Sequence, residues 1–306
     1  MLVVESLTKS FGETKAVDEI SFRIERGDSF GLLGPNGAGK TTTISMIVGV
    51  LRPDNGQVSV NGVSVASDRS EAKRHIGLVP QDLALYDDLS ASANLRFFAA
   101  LYGLFDSAAD EAAKRVLGTV GLQDRAHEPV RRFSGGMKRR LNIAVGLLHQ
   151  PDLLILDEPT VGVDPQSRNA IFQTLLELRD AGTALLYTTH YMEEVERLCT
   201  TVAIMDGGKI ISQGPLTNLV ATGQGPQHLS LELEPALPEG ATDVPGSQSS
   251  RVRGSELFLQ IQNLATDLPM ALSWLENQGI TVRSIRSRQA TLEEVFLELT
   301  GRSLRD

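Results

Sequence analysis

The chain has a single cysteine, Cys199. An intrachain disulfide is therefore impossible, and a Cys-based metal site is excluded. Aromatic residues are scarce, at 5% of 306 residues, so the core has to be assembled mainly from aliphatic side chains. Positive charge is in deficit: 29 Lys and Arg against 38 Asp and Glu leave a net charge of -9. Bulk attraction to nucleic acid or to an anionic membrane is not expected of such a chain, and no nucleic-acid partner is expected. No apolar run approaches the ~18 residues that cross a bilayer. The first residues, MLVVESLTKSFGETK, lack the basic head and apolar stretch of a signal peptide. These absences lead to the expectation of a cytosolic protein that does not itself span a membrane.

What is present points to an α/β protein. The length suits about two domains at roughly 150 residues each. Residues 29–33 (SFGLL), 76–79 (IGLV), 153–157 (LLILD), 184–188 (ALLYT) and 202–205 (VAIM) are short apolar runs bounded by Gly, Pro or polar residues. Such runs fit strands buried on both faces of a parallel sheet. Residues 92–122 and 135–149 read as helices. Residues 222–226 (TGQGP) read as a hinge, and 237–250 (LPEGATDVPGSQSS) as a Pro/Gly/Ser-rich loop. Between them Leu229, Leu231 and Leu233 alternate with polar residues, and Leu257, Leu259 and Ile261 repeat the pattern. Asp267 is expected to cap a helix with Pro269 in its first turn. Residues 280–288 read as a strand, and Thr291 to Glu294 as a capping box opening a last helix. Strand, strand, helix, strand, helix predicts a small α+β domain at 226–306.

Gly34-Pro35-Asn36-Gly37-Ala38-Gly39-Lys40-Thr41 matches G-x-x-x-x-G-K-[ST] between a predicted strand and a predicted helix. Glycines let the backbone curl so that successive N–H groups face phosphate oxygens. Lys40 places a charge between the β- and γ-phosphates, the Thr41 hydroxyl suits Mg2+, and the helix N-terminus adds a favourable dipole. Asp157 and Glu158 end the apolar run 153–156, where an acid faces the crevice in which parallel sheets bind ligands. Asp157 can hold Mg2+ through water, and Glu158 can polarise an attacking water. Gln81 and His190 follow two other predicted strands and so fall at the same sheet edge, where His190 could donate to the γ-phosphate. Ser134-Gly135-Gly136 precedes a helical run, with Ser134 a good N-cap. Arg131, Arg132, Lys138, Arg139 and Arg140 read as a solvated basic helix face or as electrostatic support for a bound nucleotide. Cys199 reads as a small core hydrophobe, and Trp274 and Phe296 as core residues of the tail.

Taken in order, these residues resemble the ATP-binding cassette of ABC transporters over about residues 2–218. The resemblance implies a P-loop NTPase fold: a RecA-like core, an antiparallel β-subdomain and a helical subdomain at about 84–148. The cassette would fill 1–221, followed by the accessory α+β domain. It implies that Phe11 stacks on adenine and that residues 34–41 are the Walker A loop, with Thr42 joining the nucleotide contacts. Gln81 resembles the Q-loop glutamine, Asp157 and Glu158 the Walker B pair, Asp164 the D-loop aspartate and His190 the switch histidine. Glu158, His190, Gln81 and Lys40 would then be catalytic, with Mg2+ held by Thr41, Gln81 and, through water, Asp157. Ser134, Gly135, Gly136 and Met137 resemble the signature, which in this family meets ATP bound by a second cassette. A homodimer with two equivalent sites is implied, and a heterodimer stays open. Phe133 and Met137 stand where many cassettes have Leu and Gln, and Val163 where Leu is common. Neither change removes a charged or hydroxyl group.

The tail, ending Thr291-Leu-Glu-Glu-Val-Phe-Leu-Glu-Leu-Thr300, resembles that of daunorubicin-type drug-resistance cassettes and their relatives. Those pair with a separate six-helix membrane subunit. The implied function is Mg-ATP-driven dimer closure coupled to export of a drug or other small molecule, lipid or polysaccharide. The implied place is peripheral, at the cytoplasmic face of the inner or plasma membrane. The alternatives are a soluble ATPase without a permease and a binding switch that does not turn over; intact Glu158 and His190 argue against the second.

Overall fold

The computed structural model describes residues 1–221, 227–238, 243–288 and 292–300. The chain divides into two compact units, Met1–Gly214 and a second beginning at Pro215.

The first unit carries two sheets. Strands β1 (Leu2–Phe11), β2 (Thr14–Ile24), β4 (Asn55–Val60) and β5 (Val63–Ser64) form an antiparallel sheet in the order β2-β1-β4-β5. Strands β3 (Ser29–Leu33), β6 (Ile76–Val79), β7 (Leu153–Asp157), β8 (Ala184–Thr189), β9 (Thr201–Asp206) and β10 (Lys209–Pro215) form the second sheet, in the order β10-β9-β3-β8-β7-β6. In it β6, β7, β8, β3 and β9 run parallel. All five apolar runs read from the sequence are these strands. β3, β7 and β8 are buried at every position, which explains their unbroken hydrophobicity. Leu2, Ile24, Leu32, Ile47, Ile155 and Leu186 belong to one aliphatic core shared by both sheets.

Helix α1 (Lys40–Ile47) follows β3, and α2 (Arg69–Arg74) precedes β6. Residues 92–122, expected as one helix, are two: α3 (Ala91–Leu101) and α4 (Asp106–Thr119). The Leu104 N–H returns to the Ala99 carbonyl at 3.0 Å and closes the end of α3. Helix α5 (Gly135–Gly146) packs against both. Helices α6 (Pro165–Asp180) and α7 (Met192–Leu198) flank β8 in sequence. No helix among the described residues is long and apolar enough to cross a membrane.

The second unit has α8 (Leu216–Ala221), an antiparallel sheet of β11 (Gln227–Glu234), β12 (Ser249–Arg253), β13 (Glu256–Ile261) and β14 (Thr281–Arg288), and helices α9 (Leu264–Asn277) and α10 (Leu292–Thr300). Leu229, Leu231, Leu233, Leu257, Leu259 and Ile261 are buried against Ala271 and Leu275 of α9, as their alternation predicts. Phe296 is buried, and Trp274 packs at the edge of that core. Two expectations need correction. The loop 237–250 ends in a strand, β12, whose polar sequence SSRVR at the sheet edge hid it. Helix α9 starts before Asp267, capped by Asn263, and Pro269 lies inside it. Asp267 still serves the helix start, accepting from the N–H groups of Gln262 and Asn263. The expected hinge at 222–226 and Thr291 of the expected capping box lie outside the described residues.

Candidate nucleotide site

Register brings the site together. Leu33, the last residue of β3, pairs with Thr189 of β8, and Asp157, the last of β7, pairs with Thr188. Val79 of β6 pairs with Leu156. Loop 34–39, Gln81, Glu158 and His190 therefore leave the sheet at one level and on one edge.

Lys40 opens α1 and is buried. Its Nζ donates to the carbonyls of Gly34 (2.7 Å) and Pro35 (3.1 Å) and lies 3.8 Å from Glu158 Oε1. Burial lowers the Lys40 pKa, while Glu158 and Asp157 act in the opposite direction. His190 Nδ1 is 3.4 Å from the same Glu158 oxygen but is buried without completing a hydrogen bond. Glu158 thus stands between the loop lysine and the histidine, with a nitrogen on each side. Asp157 Oδ1 accepts from Thr188 Oγ1 at 2.6 Å.

Glu158 is in the left-handed region, φ 45°, at a cost of about 1–3 kcal/mol for a residue with a Cβ. Its N–H donates to the Thr188 carbonyl (3.1 Å) and Oγ1 (3.2 Å). Gly39, at φ +103°, needs to be glycine: a Cβ there would overlap the Ala16 carbonyl. A buried ammonium held only by loop carbonyls and a distant carboxylate suits an incoming polyanion, so the donor set fits a nucleotide triphosphate.

Thr41 is exposed and Thr42 half-buried. The Gln81 side chain is exposed and bonds to none of the other site residues among the described residues. Phe11 is 54% exposed at the end of β1, with Lys9 Nζ 5.8 Å from its ring centre. Ser134 caps α5, accepting from the Met137 N–H at 3.2 Å. Segment 134–137 shares no hydrogen bond or ion pair with loop 34–41 among the described residues. Gly136 is packed so tightly on α6 that an added Cβ would overlap the Ser167 side chain.

Asp164 caps α6, with Pro165 in the first helical position, and accepts from Ser167 N–H at 2.9 Å. That backbone bond, with the Ser167 hydroxyl, holds its carboxyl below the ordinary value of 3.8. The stability it contributes is therefore present above that value and lost as pH falls through the lowered native value. Wild type is expected to melt above Asp164→Asn at neutral pH, with the gap closing as pH falls below the ordinary carboxyl value of 3.8. A gap unchanged by acid in paired thermal melts would refute this.

Three site neighbours escaped the sequence reading. Arg139, grouped there with a solvated basic cluster, is 4% exposed and buried under the sheet edge. It lies on the buried stripe of α5 with Gly136, Ile143 and Gly146, a spacing of three and four that could have revealed it. Glu194 of α7 is also buried. It accepts from Thr160 Oγ1 (2.6 Å), Tyr187 Oη (2.9 Å) and Thr189 Oγ1 (2.9 Å), which anchors the turn leading into His190. Thr188 binds both Asp157 and Glu158. Nothing in the residue pattern marked the last two. Cys199 is buried, its thiol pushed up to about 12 by burial, consistent with a core residue.

The parallel sheet, the glycine loop opening α1 and the acids at the end of β7 define a P-loop nucleotide-binding protein. The family model described as ABC transporter matches residues 17–161. The linearmycin resistance ATP-binding protein LnrL of Bacillus subtilis is 42% identical over 314 residues, covering 100% of both chains. The Nod factor export ATP-binding protein I of Cupriavidus metallidurans is 39% identical over 306 residues, covering 100% of this chain and 99% of its own. A solved ATP-binding subunit of an ABC transporter superposes with TM-score 0.65 at 30% identity, over 72% of this chain and 92% of its own. The chain belongs to the ABC transporter ATP-binding subunits.

Proposed function

We propose that the chain hydrolyses ATP to drive an exporter whose pore is a separate membrane subunit. The observation that carries this reading is the placement of one carboxylate, Glu158, within 3.8 Å of Lys40 and 3.4 Å of His190 at the edge of a parallel sheet. Backbone N–H groups of loop 34–39 and the Lys40 ammonium bind the phosphates, and Phe11 covers the base. Thr41, Gln81 and, through water, Asp157 hold Mg2+, which when bound neutralises phosphate charge. Glu158 orients the attacking water and takes its proton, while His190 contacts the γ-phosphate. Ser134 and Gly136 meet the nucleotide of a second copy of the chain, so turnover requires a dimer.

The relatives named for linearmycin resistance and Nod factor export support export of a drug or other small molecule, lipid or polysaccharide. The membrane subunit docks beside Gln81. There Leu83, Tyr86, Phe97, Leu101 and Phe105 are exposed on one stretch of chain, Leu101 by 70%. Buried Asn94 pins the stretch, accepting from the Tyr86 N–H at 2.8 Å and donating to its carbonyl at 3.0 Å. Apolar exposure of this extent marks an interaction surface. The membrane subunit holds the chain at the cytoplasmic face of the membrane.

The test is phosphate release by the purified chain. Mg2+-dependent hydrolysis of ATP is expected, with a rate rising faster than linearly in protein concentration as dimers form. A chain that binds no Mg-ATP would end this reading. For the docking surface, Leu101→Glu is expected to leave basal hydrolysis unchanged and to abolish co-purification with the membrane subunit. Undiminished co-purification would remove the surface from the assignment.

A further inference from the structure

Arg139 is hydrogen-bonded through every N–H of its guanidinium. Nε donates to the Pro159 carbonyl (2.5 Å), Nη1 to Pro80 (2.8 Å) and Gln81 (2.9 Å), and Nη2 to Asp157 (3.1 Å) and Glu158 (2.8 Å). Five donors in a rigid plane meet five backbone oxygens. All five belong to the segments that carry Gln81, Asp157 and Glu158.

The consequence is sharpest at Glu158. The peptide between Asp157 and Glu158 has its carbonyl on Arg139 Nη2 and its N–H on Thr188. The next peptide has its carbonyl on the same Nη2. Both peptide planes flanking the Glu158 Cα are thus held, and so is the left-handed φ of 45° that an unrestrained glutamate would leave. The direction of the side chain toward Lys40 and His190 follows from that backbone. The same guanidinium holds the two peptide carbonyls at Pro80 and Gln81. Arg139 itself rides on the helix that Ser134 caps.

We propose that Arg139 is a positioning residue for ATP hydrolysis. It fixes the backbone that aims Glu158 and ties the Gln81 segment and the signature helix to it. The inference rests on the role given to Glu158 above. A lysine would keep the charge, but its single nitrogen cannot bridge both peptides around Glu158 and also reach 80–81, so charge and geometry separate experimentally.

Steady-state hydrolysis and Mg-ATP binding are measured for the full chain as wild type, Arg139→Lys, Arg139→Gln and Glu158→Gln. The expected result is a kcat about tenfold down in Arg139→Lys and further down in Arg139→Gln, with KM and nucleotide Kd changed less than about threefold. Wild-type kcat in Arg139→Lys overturns the proposal, as does a loss confined to KM. Loss of cooperative unfolding in both Arg139 variants would assign the residue to stability alone and also overturn it. Glu158→Gln keeps the two readings apart: full activity in that variant removes the role of Glu158, whereas an inactive Glu158→Gln beside a fully active Arg139→Lys removes only the positioning role.

Discussion

Glu158→Gln is expected to lower ATP hydrolysis by about three orders of magnitude, within the range that general-base catalysis contributes. Glutamine has the shape of glutamate and an acceptor oxygen, so it can still hold a water. It cannot take the proton as that water attacks. The backbone cost of the position is the same for both residues, because φ at 158 is set by the bonds to Thr188 and Arg139. The variant should therefore fold, bind Mg-ATP and remain in the nucleotide-bound, dimerised state. Phosphate release at saturating ATP and size exclusion with and without nucleotide provide the two readouts. Turnover within threefold of wild type would remove Glu158 from its assigned chemistry.

Lys40→Ala should act on the other half of the site. The Lys40 ammonium already sits in the loop, on the carbonyls of Gly34 and Pro35, where the proposed reading places the phosphates. Two hydrogen bonds from a cation to phosphate contribute roughly 3–6 kcal/mol. Part of that is offset by the carbonyl bonds given up, so Mg-ATP affinity is expected to fall about a hundredfold or more. Folding should be little affected, because removing the ammonium also removes the burial cost that lowers its pKa. A melting temperature near wild type with binding lost is the expected pair of results. Binding within fivefold of wild type by equilibrium titration would contradict the argument.

The legibility of this chain varied with how each element is buried. Strands covered on both faces announce themselves as apolar runs, and β3, β6, β7, β8 and β9 were all readable. β1 and β2 were not read from their residues. Their alternation is broken by register shifts and by left-handed Ser6 (φ 47°) and Glu19 (φ 54°), so a period of two survives only in short pieces such as Ile20, Phe22 and Ile24. The edge strand β12 is polar and looked like loop. The site was visible where chemistry needs a fixed spacing, as in 34–41, or an acid after an apolar run, as at 157–158. It was faint where a side chain serves another segment: for Arg139 its spacing on the buried stripe of α5 was the one signal. Arg139 lies in sequence between Lys138 and Arg140, and its five acceptors are carbonyls, which no residue type reveals. Glu194 was hidden in the same way, its partners being hydroxyls from segments 160 and 187–189.

The close packing of Gly136 on Ser167 also restricts how this chain can vary. Position 136 cannot accept even a methyl group unless position 167 gives one up, so the two sites should change together or not at all. A library randomised at both should return alanine at 136 only alongside glycine at 167. With the nucleotide contact proposed for Gly136, the position answers two independent demands, the proposed approach of a nucleotide from outside and the neighbouring helix from within. A partner chain that tolerated a bulkier residue there would relieve only the first.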